Sequence, residues 1–419
     1  MSNSKKIAIE GGSVVRTKPF VNPDFQKRRF DEGEKEALLR VIDSGNLCRT
    51  FAGREGEVEK FEREFAVYYG MGFAVASTSG TAAIHVALGA IGVGPGDEVI
   101  TPPTTDIGSI IPILLQNAIP IFTDIDPRTF NLDPEDVERK ITDRTKAIIA
   151  VHLAGNPCDM DSIMDIAERY GLKLIEDVAQ SFSAGYHGRM VGTMGDMGCF
   201  SLNQYKHITC GDGGMTVTND TELARRAKLF ADKGYVRDGL GEMCEFLCMN
   251  YRMTELQAAV GRVQLGKLGE IVAARRRLGN LLSDSIRDVD GLIPPYVAEN
   301  TRHSYYTYLL MIDEEILGVS AEKFAEAVSA EGVPASLGLR NVMSYPVLRE
   351  QKTYGDTSCP FDCPRYRKNV DYKEYRLPNA ERITQKIVSI PIKECLTEED
   401  IGDVAKALKK VSDYYETRK

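Results

Sequence analysis

Lys206 follows the run Cys199-Phe200-Ser201-Leu202 and precedes the glycine-rich turn Gly211-Asp212-Gly213-Gly214. Upstream, Asp177 closes the apolar run 172–176. A lysine amine can hold an aldehyde cofactor as a Schiff base, while an aspartate at the ring nitrogen keeps that nitrogen protonated, so the ring can accept carbanion electrons. A third feature, Ser77-Thr78-Ser79-Gly80-Thr81-Ala82, sits between a strand pattern and a helix pattern. Free N–H groups and the positive end of a helix dipole attract an anion there, and small residues let a phosphate approach closely. Singly, each feature has an ordinary structural role: a helix cap, a strand-end carboxylate, a solvated lysine. In this chain order they fit a pyridoxal 5′-phosphate site.

The elements that must position these residues belong to an α/β fold. Strand-like runs at 73–76, 98–101, 120–124, 147–153, 172–176, 197–202 and 215–218 alternate with helical patterns, predicting a mostly parallel, roughly seven-stranded sheet covered by helices. Several runs are continuously apolar, as strands buried on both faces should be. Helices are expected at 83–91, 159–170, 221–233 and 255–268. A smaller α+β C-terminal domain is expected over 266–419, after a large cofactor-binding domain with an N-terminal arm over 1–265. The smaller one carries a long helix from about 270, a strand at 305–312, and helices at 321–331 and 398–415. The segment 350–379 has little periodicity and reads as a long ordered loop.

Length and charge set outer bounds. The 419 residues exceed one ordinary core and carry a net charge of −9, which leaves no basic footprint for nucleic acid. Arg275-Arg276-Arg277 is the densest basic cluster and reads as a solvated helix face or an interdomain salt-bridge strip. No secretory leader or membrane span is expected, and nine scattered cysteines fit a reducing, cytoplasmic setting. Cys359 and Cys363 read as free thiols in a loop, with no metal assigned.

The ordered series of motifs resembles the DegT/DnrJ/EryC1/StrS sugar aminotransferases, pyridoxal phosphate enzymes of the aspartate aminotransferase fold. The resemblance runs from Ile7-Ala8-Ile9-Glu10-Gly11-Gly12 through Gly94-Pro95-Gly96-Asp97-Glu98, Val151-His152-Leu153-Ala154-Gly155, Glu176-Asp177, Cys199-Phe200-Ser201, Lys206, Gly211-Asp212-Gly213-Gly214 and Asn250-Tyr251-Arg252-Met253. It implies that Lys206 is the cofactor lysine and general base, and that Asp177 pairs with the ring nitrogen. Gln180 would lie against the ring, with Gly80, Thr81, Ala82 and Ser201 forming the phosphate cup. Asn250 matches a residue donated by the neighbouring subunit, so a homodimer with shared sites is implied.

Asp106 departs from the family, which usually has a ring-stacking aromatic residue there; a carboxylate offers no π-face. His207 beside Lys206 reads as a packing or hydrogen-bonding residue, and His85 and His187 carry no evident chemistry. The leading expectation is transfer of an amino group from glutamate or glutamine to a keto-sugar, nucleotide-linked or free, or to a keto-cyclitol, with a slight lean to cyclitols. Elimination of a sugar hydroxyl and a non-catalytic binding role are the alternatives. Acceptor specificity is expected from loops 237–246, 337–345 and 362–372, with Arg340, Arg365, Tyr366 and Arg367 as candidates for a nucleotide.

Overall fold

A computed structural model describes residues 6–20, 30–49, 55–235, 244–366, 368 and 370–417. Its centre is a seven-stranded sheet of β1 (Phe73–Ser77), β2 (Glu98–Thr101), β3 (Ile119–Phe122), β4 (Thr145–Val151), β5 (Lys173–Asp177), β8 (Met197–Ser201) and β9 (Gly214–Thr218), with β6 (Gly185–Tyr186) and β7 (Arg189–Met190) forming a small hairpin beside it. The order is β1-β9-β8-β5-β4-β2-β3, and β9 alone runs against its neighbours β1 and β8. All seven expected runs are strands of this one sheet, each within two residues of its expected ends.

Alternation along the strands divides the core into two layers. Val75, Val99, Ile149, Ile175 and Met197 face one layer, which the helices Gly80–Ile91 and Thr221–Ala231 cover. Ala76, Ile100, Ile148, Leu174 and Phe200 face the other, with Phe61, Phe65, Ile163 and Ile166 from the helices Glu57–Tyr69 and Met160–Tyr170. Both faces are therefore dry, and the strands can be apolar throughout.

The expected helix 255–268 and the separate helix after 270 are one element, Glu255–Ile286. Gly266 and Gly269 lower helix propensity locally, but they lie on an open side where an added Cβ would meet nothing. Leu265, Leu268, Ile271, Val272, Leu278, Leu282 and Ile286 are all buried and carry the helix across. The expected division at 265 falls inside it. Its first half packs on the large body, and Leu278, Leu282 and Ile286 join a second core.

That second core lies under a four-stranded antiparallel sheet, β10 (Leu292–Ile293), β12 (Tyr308–Ile312), β14 (Ile387–Ile390) and β13 (Ser336–Leu337), in that order, with the helices Ala321–Ala330 and Glu398–Glu416. β11 (Thr301–Arg302) pairs with the β6–β7 hairpin of the large body. The N-terminal arm, grouped by sequence with the large body, packs on the smaller one. Ile7 and Phe20 are buried in its core, and Ala8 and Val15 donate their N–H groups to Glu331. Of the arginine cluster, only Arg277 is solvated. Arg275 is fully buried with its Nε 2.8 Å from Glu394 Oε2, and Arg276 Nε donates to the His303 carbonyl at 3.2 Å.

Candidate active site

The carboxyl edge of the large sheet gathers the chemistry. Asp177 ends β5, Ser201 ends β8, and Ser77 ends β1 just before the helix that begins at Gly80. Register places Gly214 opposite both Ser77 and Ser201, so the phosphate-type turn and the strand bearing Ser201 meet at one point. Two glycines make that approach possible. A Cβ on Gly80 would sit 2.6 Å from Ser201 Cβ, and one on Gly214 would sit 2.1 Å from the Ser79 carbonyl oxygen. Ser79 caps the helix by accepting from the Ala82 N–H at 3.0 Å. The cap thus engages Ala82, while Gly80 and Thr81 supply first-turn N–H groups that have no intrahelical acceptor.

Asp177 is buried, and its carboxylate accepts from Ser109 Oγ at 2.7 Å and from the Ala179 N–H at 3.0 Å. Burial pushes its carboxyl above the ordinary range, opposed by the Ser109 hydroxyl, the Ala179 N–H and the charge of Lys206. A further positive charge beside it would favour its ionised form. Behind it, Glu176 is also buried. Its carboxylate accepts from His152 Nε2 at 3.0 Å and from the N–H groups of Gly192, Met194 and Gly195 at 2.6 to 2.7 Å. The Cys158 N–H donates to His152 Nδ1, so the imidazole carries its proton on Nε2.

Lys206 lies in the loop after β8, half-buried, with its N–H bonded to the Asn203 carbonyl. Its Nζ stands 4.8 Å from the centre of the Tyr306 ring. Tyr306 arrives from the smaller body: its N–H donates to the Ala154 carbonyl, while the Ala154 N–H donates to Gln180 Oε1 at 2.9 Å. Ala154 has φ +56°, a backbone state that costs a non-glycine residue about 1–2 kcal/mol and that these two bonds hold in place. Gln180, Ala154 and Tyr306 line a cavity of about 410 Å³ beside Lys206, within the ~300–1,000 Å³ of small-molecule sites.

Asp106 also lines this cavity, exposed, with its carboxylate accepting the Gly108 N–H at 2.8 Å. Without offering a ring face, it caps the short turn Ile107–Ser109 that delivers Ser109 to Asp177. His207 is buried and its Nε2 bonds the Ser304 carbonyl at 3.1 Å; burial and then Arg275 push its pKa well down, so it is a neutral packing group. Asn250 is exposed, bridged to Asp232, and does not line the cavity.

The loop 337–345 lines the cavity through Leu337, Arg340 and Tyr345. The described residues of the loop 362–372 do not, and its expected part in specificity is corrected by position. Tyr366 bonds Glu98 at the opposite, amino end of β2, and Tyr372 bonds the Pro120 carbonyl on edge strand β3. Arg365 packs there too, against Gly96, with its carbonyl bonded by Arg144. Residues 237–243 and Arg367 lie outside the described residues. Sequence reading also missed Ser109, Tyr306 and Lys393 in this neighbourhood. The aromatic cluster His303-Ser304-Tyr305-Tyr306 was the one available signal for the second of them.

The profile of the DegT/DnrJ/EryC1/StrS aminotransferase family matches residues 29–409. The chain belongs to that family. It is an aminotransferase, and family membership implies dependence on pyridoxal phosphate. An L-glutamine:2-deoxy-scyllo-inosose aminotransferase of Streptomyces kanamyceticus is 37% identical, with 97% of each chain aligned. Among solved structures, an aminotransferase from Psychrobacter cryohalolentis superposes with a TM-score of 0.80 at 33% identity, covering 91% of this chain and 96% of that one. NtdA of Bacillus subtilis, solved with bound cofactor PMP, gives 0.79 at 25% identity, covering 95% and 86%.

Proposed function

We propose that this aminotransferase moves an amino group from glutamine or glutamate to the keto group of a cyclitol or related free polyol, using pyridoxal phosphate held at the carboxyl edge of the sheet. The buried Asp177 carboxylate carries the cofactor assignment. It is a buried acid at the carboxyl edge of the sheet whose burial disfavours its charge despite Ser109, Ala179 and the charge of Lys206, and a protonated ring nitrogen beside it would favour the ionised form. Bound there, the cofactor supplies a ring that accepts electrons. Gly80, Thr81 and Ser201 hold its phosphate, and Gln180 supports its ring from the Ala154 turn. Lys206 binds its aldehyde and moves the proton taken from the donor Cα. Asn250, exposed and off the cavity, completes the phosphate cup of a second copy in a homodimer.

The acceptor class follows from the cavity walls and from the relatives. Of the residues expected to bind a nucleotide, Arg365 and Tyr366 lie at the far end of the sheet, and among the described ones Arg340 alone lines the cavity. The cavity has hydroxyl-rich walls, with Thr104, Thr105, Thr307 and Ser389 among its lining, as a polyhydroxylated ring requires. The name of the Streptomyces kanamyceticus relative points to the same acceptor chemistry. Arg340 and Lys393 give the cavity two cations suited to the carboxylate of an amino acid donor. Arg340→Ala is expected to raise KM for the donor about tenfold, for the loss of one charge-assisted contact, and to leave KM for the acceptor within twofold. Initial rates with each substrate varied in turn decide this; an unchanged donor KM places the carboxylate elsewhere.

Ser109→Ala removes the shortest hydrogen bond to Asp177 and pushes that carboxyl further up. Cofactor retention should weaken about fivefold to tenfold, for a loss near 1–1.5 kcal/mol. The defect should deepen on acidification, since only the ionised carboxylate pairs with a cation. Equilibrium dialysis of the cofactor across a pH series reads it, and a wild-type profile sinks the assignment. The reaction itself is tested with a panel of inososes, free keto-sugars and nucleotide keto-sugars. Consumption of glutamine in step with aminated inosose supports the reading, and deoxygenated product without donor consumption overturns it in favour of elimination.

A further inference from the structure

Two thiols outside the cavity are in contact. Cys244 and Cys248, near the end of the connection between the helices Thr221–Ala231 and Glu255–Ile286, have Sγ atoms 3.7 Å apart. Cys359 and Cys363, which look similar in sequence, make no such contact; Cys359 Sγ is instead 3.3 Å from Asn117 Oδ1. Gly234 lets the first two sulfurs converge. Its φ is +70°, and a Cβ built there would lie 2.9 Å from Cys244 Sγ and 3.1 Å from Cys248 Sγ. The turn is fastened at both ends, by a bridge from Tyr235 to Cys244 and by the Met249 N–H bonded to the Phe230 carbonyl at 3.2 Å. Cys244 is exposed, and Cys248 is partly covered.

We propose that Cys244 and Cys248 form an oxidisable dithiol, a site where a peroxide converts two thiols to an intramolecular disulfide. Cys244, the open one, attacks as thiolate on a peroxide oxygen; the O–O bond breaks, one water leaves after protonation, and Cys244 becomes a sulfenic acid. The Cys248 sulfur then displaces that hydroxyl as a second water, and the S–S bond forms. With hydrogen peroxide the two sulfurs together lose two electrons and two protons, and the peroxide is reduced to two waters. Burial and the neighbouring thiol push Cys248 up to about 12, which leaves Cys244 as the attacking group and Cys248 as the resolving one. Bonding needs the sulfurs to close from 3.7 Å to about 2.04 Å, within reach of side-chain rotation on a turn of this length. The bond would brace the backbone two residues before Asn250, outside the cavity and independent of the cofactor assignment.

Holoenzyme treated with hydrogen peroxide, denatured and alkylated should fall from nine reactive thiols to seven, with the intact mass lower by two hydrogens. A proteolytic peptide should carry the Cys244–Cys248 link, and dithiothreitol should restore all nine. Cys244→Ser should keep all its remaining thiols under the same treatment, whereas Cys248→Ser should lose only one, Cys244, as a sulfenic acid that dithiothreitol restores, with no linked peptide; either variant suffices if the other fails to fold. Nine thiols retained by the wild type, a link mapped to another pair, or an undiminished thiol loss in the serine variants would overturn the proposal.

Discussion

Lys206→Ala is expected to lower transamination by at least about 10³-fold, because in the proposed role it removes both the covalent attachment and the proton carrier. The loss is chemical, since Lys206 is a half-buried loop residue whose backbone bond to Asn203 survives the change. Lys206→Arg keeps a cation over the Tyr306 ring, yet a guanidinium stays protonated and offers no nucleophilic nitrogen. It should be as inactive as the alanine variant. Both proteins should melt within a few degrees of the wild type while losing the visible absorbance of attached cofactor. Release of 2-oxo acid from the donor in a single turnover is the decisive measurement. Activity within tenfold of wild type in either variant would remove Lys206 from the chemistry.

Glu176→Gln should produce the largest loss of stability of any isosteric change near the site. The carboxylate is fully buried and takes four donors, and an amide would turn an NH₂ toward groups that also donate. Breaking such a buried charged network costs about 3–5 kcal/mol, whereas the exposed, ion-paired Glu222→Gln should leave stability nearly unchanged. The pH dependence has a definite sign. Burial alone would push Glu176 up, but the His152 hydrogen bond and the Gly195 and Gly192 N–H groups outweigh it and hold the carboxyl below its ordinary 4.5. The associated stabilisation is therefore complete above about pH 4.5 and is lost as the pH falls through the folded value. Thermal melts from pH 7 downward should show the wild type converging on the variant at the acid end. A variant that melts with the wild type at pH 7 would show that the network is dispensable.

Much of the architecture was legible because burial on both faces of a parallel sheet leaves a plain mark. The run ending at Ser201 is apolar, and the one ending at Asp177 carries Leu172, Leu174 and Ile175 around Lys173 and Glu176, so both strands and their carboxyl ends could be located from residue type. Lys206 was singled out by the whole set, as the lysine between the Ser201 run and the turn Gly211-Asp212-Gly213-Gly214, and by the family resemblance. What resisted reading lies at long sequence separation. Tyr306 reaches Lys206 from a different body 100 positions later, and no local pattern encodes that approach. Ser109 is an ordinary serine until the Asp106 cap turns it toward Asp177. The loop 362–372 has the basic and aromatic composition of a nucleotide site, but Tyr366 and Tyr372 spend that chemistry on Glu98 and on the edge of β3. The helix Glu255–Ile286 was divided by its glycines, whose cost the buried Leu268, Ile271 and Val272 override.

The same helix bears on how substrates come and go. Its 32 residues make a rod of about 48 Å, seated in both bodies and bolted to the smaller one through the fully buried Arg275–Glu394 pair. A swivel at the junction would have to bend this rod or part it from the large body, so the mouth of the cavity is expected to keep its width. Small-angle scattering should record one radius of gyration with and without donor, and traffic through the chamber should be set by side chains at its rim, Arg340 and Tyr345 among them.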